Sequence, residues 1–205
     1  CAHRKGLWFQ KRAGVIERMP SDQQAVVAGS VYVIIGGTGG IGQAISRSLL
    51  EQSQVQLVWI GRRAQDQTIQ AMIDELASSG RAPYYIRADA SDRTQLARAR
   101  DTIEKTFGRI DGLIHAAMVL RDRSLERMSV ESFREVLVSK IDGCVRLAQV
   151  FGSADLRFAL FFSSMNSFPT FAGQSNYAAA SCFEDAFALE LARSWRCRVR
   201  VINWG

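Results

Sequence analysis

Three side chains of this sequence could move a proton together. Ser164 closes the apolar run that ends Phe161-Phe162-Ser163-Ser164, Tyr177 stands at the head of the next helix-like segment, and Lys140 is the only lysine beyond residue 105. A strand end followed by a helix start places the hydroxyl and the phenol on adjoining walls of one crevice. A ketone that accepts hydride develops negative charge on its oxygen, so it needs a proton donor and a second hydrogen-bond donor. Tyr177 suits the first part and Ser164 the second. A phenol with an ordinary pKa of about 10 gives up its proton poorly, and a neighbouring ammonium eases the loss by stabilising the phenolate. Lys140, in Val138-Ser139-Lys140-Ile141-Asp142-Gly143, is assigned that ammonium. Only four of the 26 Lys+Arg are lysines, and the apolar flanks Val138 and Ile141 argue against a merely solvated one.

The hydride source is suggested by a second stretch, Gly36-Gly37-Thr38-Gly39-Gly40-Ile41-Gly42. It follows the β-branched run Val31–Ile35 and opens a helix-like segment at 43–50. Strand, glycine turn and helix is the order of a dinucleotide site: the turn lets backbone approach a pyrophosphate, and free N–H groups at the helix start bind its charge. Side chains at Gly36, Gly40 or Gly42 are expected to close that room. Glycines also mark ordinary turns. The spacing G-x-x-x-G-x-G is nevertheless the form seen in short-chain dehydrogenase/reductases, not the G-x-G-x-x-G of other nicotinamide enzymes.

Elements able to hold these residues alternate along the chain. Strand-like runs at 31–36, 55–60, 83–88, 111–116, 157–163 and 198–203 are separated by helical periodicity at 41–52, 66–79, 92–107, 128–151 and 175–195. The fold class is therefore α/β, a doubly wound (Rossmann) mostly parallel sheet with helices on both faces and its crevice at the carboxyl ends of the strands. At the second such end, Gly61-Arg62-Arg63 offers arginines where an acidic residue would select NAD, which suits a ribose 2′-phosphate and hence NADPH. Two solvated arginines are the blander reading, and the upstream glycine turn weighs against it. Asp89 and Ala90 can meet adenine, Asp92 caps the next helix, and Ala116 and Ala117 let a nucleotide lie against backbone. His115 is grouped with the cofactor residues, although a packed structural histidine is its plainer role.

Together these residues resemble a family, the ketoreductase domains of modular polyketide synthases. The resemblance covers roughly 30–205: the glycine turn, Gly61-Arg62-Arg63, Ile114-His115-Ala116-Ala117, Val119-Leu120-Arg121-Asp122, Lys140-Ile141-Asp142-Gly143, Phe161-Phe162-Ser163-Ser164, Gly173-Gln174-Ser175-Asn176-Tyr177-Ala178-Ala179-Ala180 and Ile202-Asn203-Trp204-Gly205. In many simple reductases the lysine sits four residues after the tyrosine, where this chain has Ser181. The resembling domains carry the lysine on the earlier helix, as Lys140 is here. The resemblance implies NADPH-dependent reduction of a β-keto thioester carried on the phosphopantetheine arm of an acyl carrier protein, beside other domains of one megasynthase. It also implies an asparagine at position 181 to hold the lysine, so Ser181 is a departure: it reaches Lys140 through water, or activity is reduced. Asp122 matches the second aspartate of the family's L-D-D signature, with Arg121 in place of the first. Pro169 stands eight before Tyr177, where the opposite stereochemical class has tryptophan. The implied product is the D (3R) hydroxyl.

Composition narrows the surroundings. The net charge of +6 comes from scattered arginines and reads as a solvated surface, not a nucleic-acid site. No apolar run is long enough for a membrane span, and no charged-then-apolar leader is evident. Cysteines 1, 144, 182 and 197 show no paired spacing and histidines number two, so reduced thiols, a cytoplasmic setting and no metal site are expected. Both ends look cut: residues 1–29 read as the remnant of a structural subdomain plus linker, with strands near Trp8-Phe9 and Val15-Ile16, and 30–205 as the NADPH-binding domain without its last strand and lid. A free-standing short-chain reductase, and a catalytically weak or inactive structural domain of the megasynthase, are the competing expectations.

Overall fold

The structure, a computed structural model, describes residues 2–9, 14, 26–168 and 171–205. A short antiparallel hairpin of β1 (Ala2–Arg4) and β2 (Leu7–Phe9) comes first, turned by Lys5 and Gly6, whose φ angles of 50° and 79° are the left-handed pair such a two-residue turn requires. The strand expected at Val15-Ile16, and Pro169, lie outside the described residues.

Strands and helices then alternate: β3 (Val31–Ile35), α1 (Gly40–Gln52), β4 (Gln56–Gly61), α2 (Gln67–Ala77), β5 (Tyr84–Arg87), α3 (Arg93–Phe107), β6 (Gly112–His115), α4 (Val130–Leu137), α5 (Gly143–Phe151), β7 (Phe158–Ser164), α6 (Ser175–Ser194) and β8 (Arg198–Trp204). The six long-range strands form one all-parallel sheet in the order β5-β4-β3-β6-β7-β8. Chain direction across the sheet reverses between β3 and β6, which is where such folds open a ligand crevice.

β3 is buried along its whole length because alternate side chains enter two separate cores. Val31, Val33 and Ile35 join one core with Leu96, Ile103, Leu147 and Phe151 from α3 and α5, while Tyr32 and Ile34 join the other with Leu49, Ile69 and Leu76 from α1 and α2. Covering both faces explains the unbroken apolar run, and each fully buried aliphatic side chain contributes about 1.5–3 kcal/mol. Helix starts follow local chemistry: Asp66 accepts from the Ile69 N–H at 2.8 Å, and Asp92 accepts from Thr94 and Gln95 as expected of a cap. No described helix is long and apolar enough to cross a membrane.

One element differs from expectation. Residues 128–151 do not form a single helix; α4 and α5 are joined by a π-helical turn, Val138–Asp142, in which the Gly143 N–H reaches back to the Val138 carbonyl. The wider turn rotates the residues that follow, and Lys140 at its centre is buried. Gly143 is needed where it ends, since a Cβ there would stand 3.2 Å from His115 Nε2.

Candidate active site

The glycine turn forms the floor of a cleft of about 520 Å³ at the strand ends. Gly36 has φ 83°, and a Cβ on it would come 2.8 Å from the Ala117 backbone, so the turn from β3 passes β6 with no room for a side chain. Gly42 lies directly over the Gly36 carbonyl, and Gly37 lies under Trp59. Trp59 Nε1 donates to Ser46 Oγ at 2.9 Å, Ser46 donates to the Gly42 carbonyl at 2.7 Å, and Gln43 Nε2 donates to the Thr38 carbonyl at 2.9 Å. Thr38 and Gly39 line the cleft, while Ile41 turns into the core beside it. A Cβ on Gly40 would meet no protein atom within 4 Å, so the space beside it is open. The first turn of α1 carries no acidic residue and no side-chain cap, which leaves its N–H groups and positive dipole for an anion.

Arg62, Arg63, Asp89, Ala90, Ala116 and Ala117 all line the same cleft. Asp89 is already engaged, accepting from the Ser91 N–H and hydroxyl at 2.9 and 2.7 Å. His115 does not line it. β6 alternates its faces, so the His115 ring turns into the sheet interior, 1% exposed, with Nδ1 2.8 Å from Glu184 Oε1. The cofactor grouping of that side chain is therefore corrected.

Lys140, Ser164 and Tyr177 do not themselves line the cleft. Val138 and Ser139 of the π-helical turn and Val119 do, and Val119 also packs against the cluster of Tyr177, Val136 and Ala180. Lys140 is 1% exposed; its ammonium lies 5.5 Å from the centroid of the Tyr177 ring. Ser164 Oγ accepts from the Asn166 N–H at 3.2 Å. Tyr177 and Ser164 are both buried, 8% and 7% exposed.

Lys140 is held by groups other than those expected. Its Nζ donates to the Phe162 carbonyl at 2.9 Å and forms an ion pair with Glu184 Oε2. Ser181 makes no such contact: its Oγ is buried with no hydrogen-bond partner among the described residues, and only its carbonyl is used, accepting from Ser163 Oγ at 3.2 Å. A serine side chain is too short to do what an amide would. Glu184 was not singled out from the sequence, yet a signal existed. Positions 177, 180, 181, 184, 188 and 191 all face inward on α6, so 184 falls on the core stripe, where a carboxylate demands a partner.

Cys144 completes this interior group, its Sγ 3.9 Å from His115 Nδ1 and 3.8 Å from Glu184 Oε1. Ligand atoms of His115, Cys144 and Glu184 all lie within 4.8 Å of one another. Burial first, and the Glu184 charge second, push the Cys144 thiol well up, which opposes the thiolate that a metal would require.

Exposed Asp122 accepts from Gln174 Nε2 at 2.7 Å, and Gln174 in turn accepts from Asn166. Asn176 Nδ2 donates to the Arg121 carbonyl at 3.0 Å, and the Arg121 guanidinium pairs with Glu135 through Nε and Nη2. Asp122 is thus tied by two amides, Gln174 and Asn166, to the segment just after Ser164.

These features agree with known relatives. The model of the KR domain family matches residues 30–205. Polyketide synthase PksN of Bacillus subtilis is 49% identical over 203 residues, 99% of this chain and 4% of that protein, and PksM of the same organism is 42% identical over 204 residues, 100% and 5%. The chain thus spans only a small part of the curated relatives it matches. An N-terminal ketoreductase from the macrolactin assembly line superposes with a TM-score of 0.85 at 29% identity, over 90% of this chain and 38% of that one; a ketoreductase domain from the bacillaene assembly line gives 0.82 at 29%, over 91% and 47%. A short-chain dehydrogenase from Burkholderia cenocepacia in complex with NADP, 22% identical with a TM-score of 0.78 over 87% of this chain and 74% of that one, shares the fold. The chain belongs to the KR domain family, the ketoreductase domains of polyketide synthases, a family of oxidoreductases.

Proposed function

We propose that residues 30–205 reduce a β-keto acyl thioester, delivered on the phosphopantetheine arm of an acyl carrier protein, to the D (3R) β-hydroxyacyl thioester with NADPH as cofactor. One observation carries the reading: the cleft built on the glycine turn is also lined by the π-helical turn that bears Lys140 and by Val119, which packs against Tyr177. Gly36, Thr38, Gly39 and the start of α1 fit the pyrophosphate, Arg62 and Arg63 the 2′-phosphate, Asp89 and Ala90 the adenine, and Ala116 and Ala117 leave room against backbone. The bound cofactor supplies hydride. Tyr177 gives its phenolic proton to the carbonyl oxygen as charge grows there, Ser164 donates the second hydrogen bond, and the Lys140 charge stabilises the phenolate left behind.

Asp122 supports the stereochemical assignment through its match to the family signature. Residues 1–29 stand in this reading as the tail of a structural subdomain, and the carrier protein and neighbouring domains of the same cytoplasmic megasynthase as partners. The test is NADPH oxidation with a diketide thioester surrogate, with chiral analysis of the product. Tyr177→Phe should lower turnover about 100-fold or more while NADPH still binds. Equal turnover in that variant would remove Tyr177 from the reaction, and failure of the unaltered chain to bind NADPH would favour a structural role.

A further inference from the structure

We propose that Glu184 is the positioning residue of this site: its carboxylate holds the Lys140 ammonium, the part that the family resemblance gives to an amide at position 181. The inference rests on the reductase reading above and adds a residue to it.

The geometry is specific on each side. A lysine ammonium has three donors and no acceptor; one goes to the Phe162 carbonyl at the end of β7 and one to Glu184 Oε2. The other carboxylate oxygen, Oε1, is 2.8 Å from His115 Nδ1. A carboxylate that meets an ammonium is acceptor-only, so Nδ1 is the protonated nitrogen of His115 and Glu184 is fixed from two directions. β6, the π-helical turn, β7 and α6 are thereby joined through one side chain. Ser181, on the same inner face of α6, does not take that part, because its buried hydroxyl has no hydrogen-bond partner among the described residues.

Charge makes the same point. Lys140 and Glu184 are 1% and 0% exposed. An ammonium removed from water stays ionised only with a compensating anion, and no other acidic side chain is paired with this one among the described residues. Glu184 lies seven residues after Tyr177, two turns along one helix, so the same rigid element carries the phenol and the anion that fixes the ammonium's distance from it.

The experiment uses Glu184→Gln, which keeps the shape and an acceptor but removes the charge, and reads two signals. The chain is prepared with lysine labelled at Cε, and the Lys140 resonance is assigned by its disappearance in Lys140→Arg. In Glu184→Gln that resonance should move while the other lysine signals stay, and kcat should fall about 100-fold, the scale of a misplacement near 1 Å. KM for the surrogate and Kd for NADPH should stay within about twofold, since neither contact is made by Glu184. A stationary Lys140 resonance, an unchanged kcat, or a kcat loss matched by equal losses in NADPH and surrogate binding would each overturn the proposal. If Glu184→Gln does not fold, Glu184→Asp takes its place: it keeps the charge one methylene short, and must show a displaced Lys140 resonance and a lowered kcat. An unaltered chain that binds NADPH without turnover would sink the reductase reading instead, while the Lys140 resonance would still report separately whether Glu184 holds the ammonium.

Discussion

In the cleft between Gly36 and Arg63 the protein recognises by stepping aside, with backbone brought forward and side chains withheld, whereas around Glu184 four polar side chains crowd into a volume water does not reach. The first region is made of short local runs: the seven-residue glycine turn and the strand ends at Arg62-Arg63, Asp89-Ala90 and Ala116-Ala117. The second is assembled by pairs 22, 44 and 69 residues apart in sequence. A site of the first kind tolerates loss of one contact because solvent can replace it. In a site of the second kind, removing one partner leaves a buried charge behind.

The sharpest way to break that contrast is Lys140→Ala. Without its ammonium, Glu184 is a carboxylate at zero exposure with only the neutral groups His115 and Cys144 beside it among the described residues. We expect about 3–5 kcal/mol of lost stability, read as a lower urea midpoint at constant slope. Turnover should vanish, and NADPH affinity of the fraction still folded should change little. A midpoint within experimental scatter of the parent would mean that the ion pair contributes no net stability and that the cluster is no more demanding than the cleft.

Arg62→Ala probes the other region. Arg62 is exposed at the cleft wall and touches no described carboxylate, so its removal should leave the fold intact. Loss of one charge-assisted contact to a 2′-phosphate, about 1.5–3 kcal/mol, weakens NADPH binding about ten- to a hundredfold and leaves NADH nearly unaffected. Fluorescence titration with both cofactors reads the difference. Equal losses for the two would refute the phosphate assignment and leave the arginines as solvated surface.

The same contrast explains what could be read before the fold was known. Every expected strand and helix beyond residue 30 exists within a few residues of its expected limits, since period-two and period-3.6 patterns are local properties. The glycine turn, the arginines and the alanines at 116 and 117 were legible for the same reason. What escaped was the direction in which buried polar groups point. His115 was grouped with the cofactor residues because it sits at a strand end, but the strand's alternation sends its ring inward, which leaves it the packed, hydrogen-bonded histidine that was its plainer role. The single helix expected over 128–151 concealed a π-helical turn, because one inserted residue scarcely disturbs an apolar stripe. Glu184 went unremarked because partnership across 44 residues leaves no mark in a window of eighteen. Its position on the α6 inner stripe was the available clue.

The smallest expected effect is the most discriminating for Ser181. Its hydroxyl is buried and has no partner among the described residues, so the native state already bears a desolvation cost, on the order of 1–3 kcal/mol in other proteins, without a hydrogen bond in return. Ser181→Ala removes the oxygen and leaves the Lys140, Glu184 and Phe162 contacts as they are. Stability should be unchanged within about 0.5 kcal/mol or slightly raised, and kcat should match the parent. A tenfold fall in kcat would show that the hydroxyl reaches Lys140 through an ordered water, and would divide the holding of the ammonium between two residues of α6. Parent-like turnover, set beside the loss expected for Glu184→Gln, leaves the carboxylate as the group that fixes it.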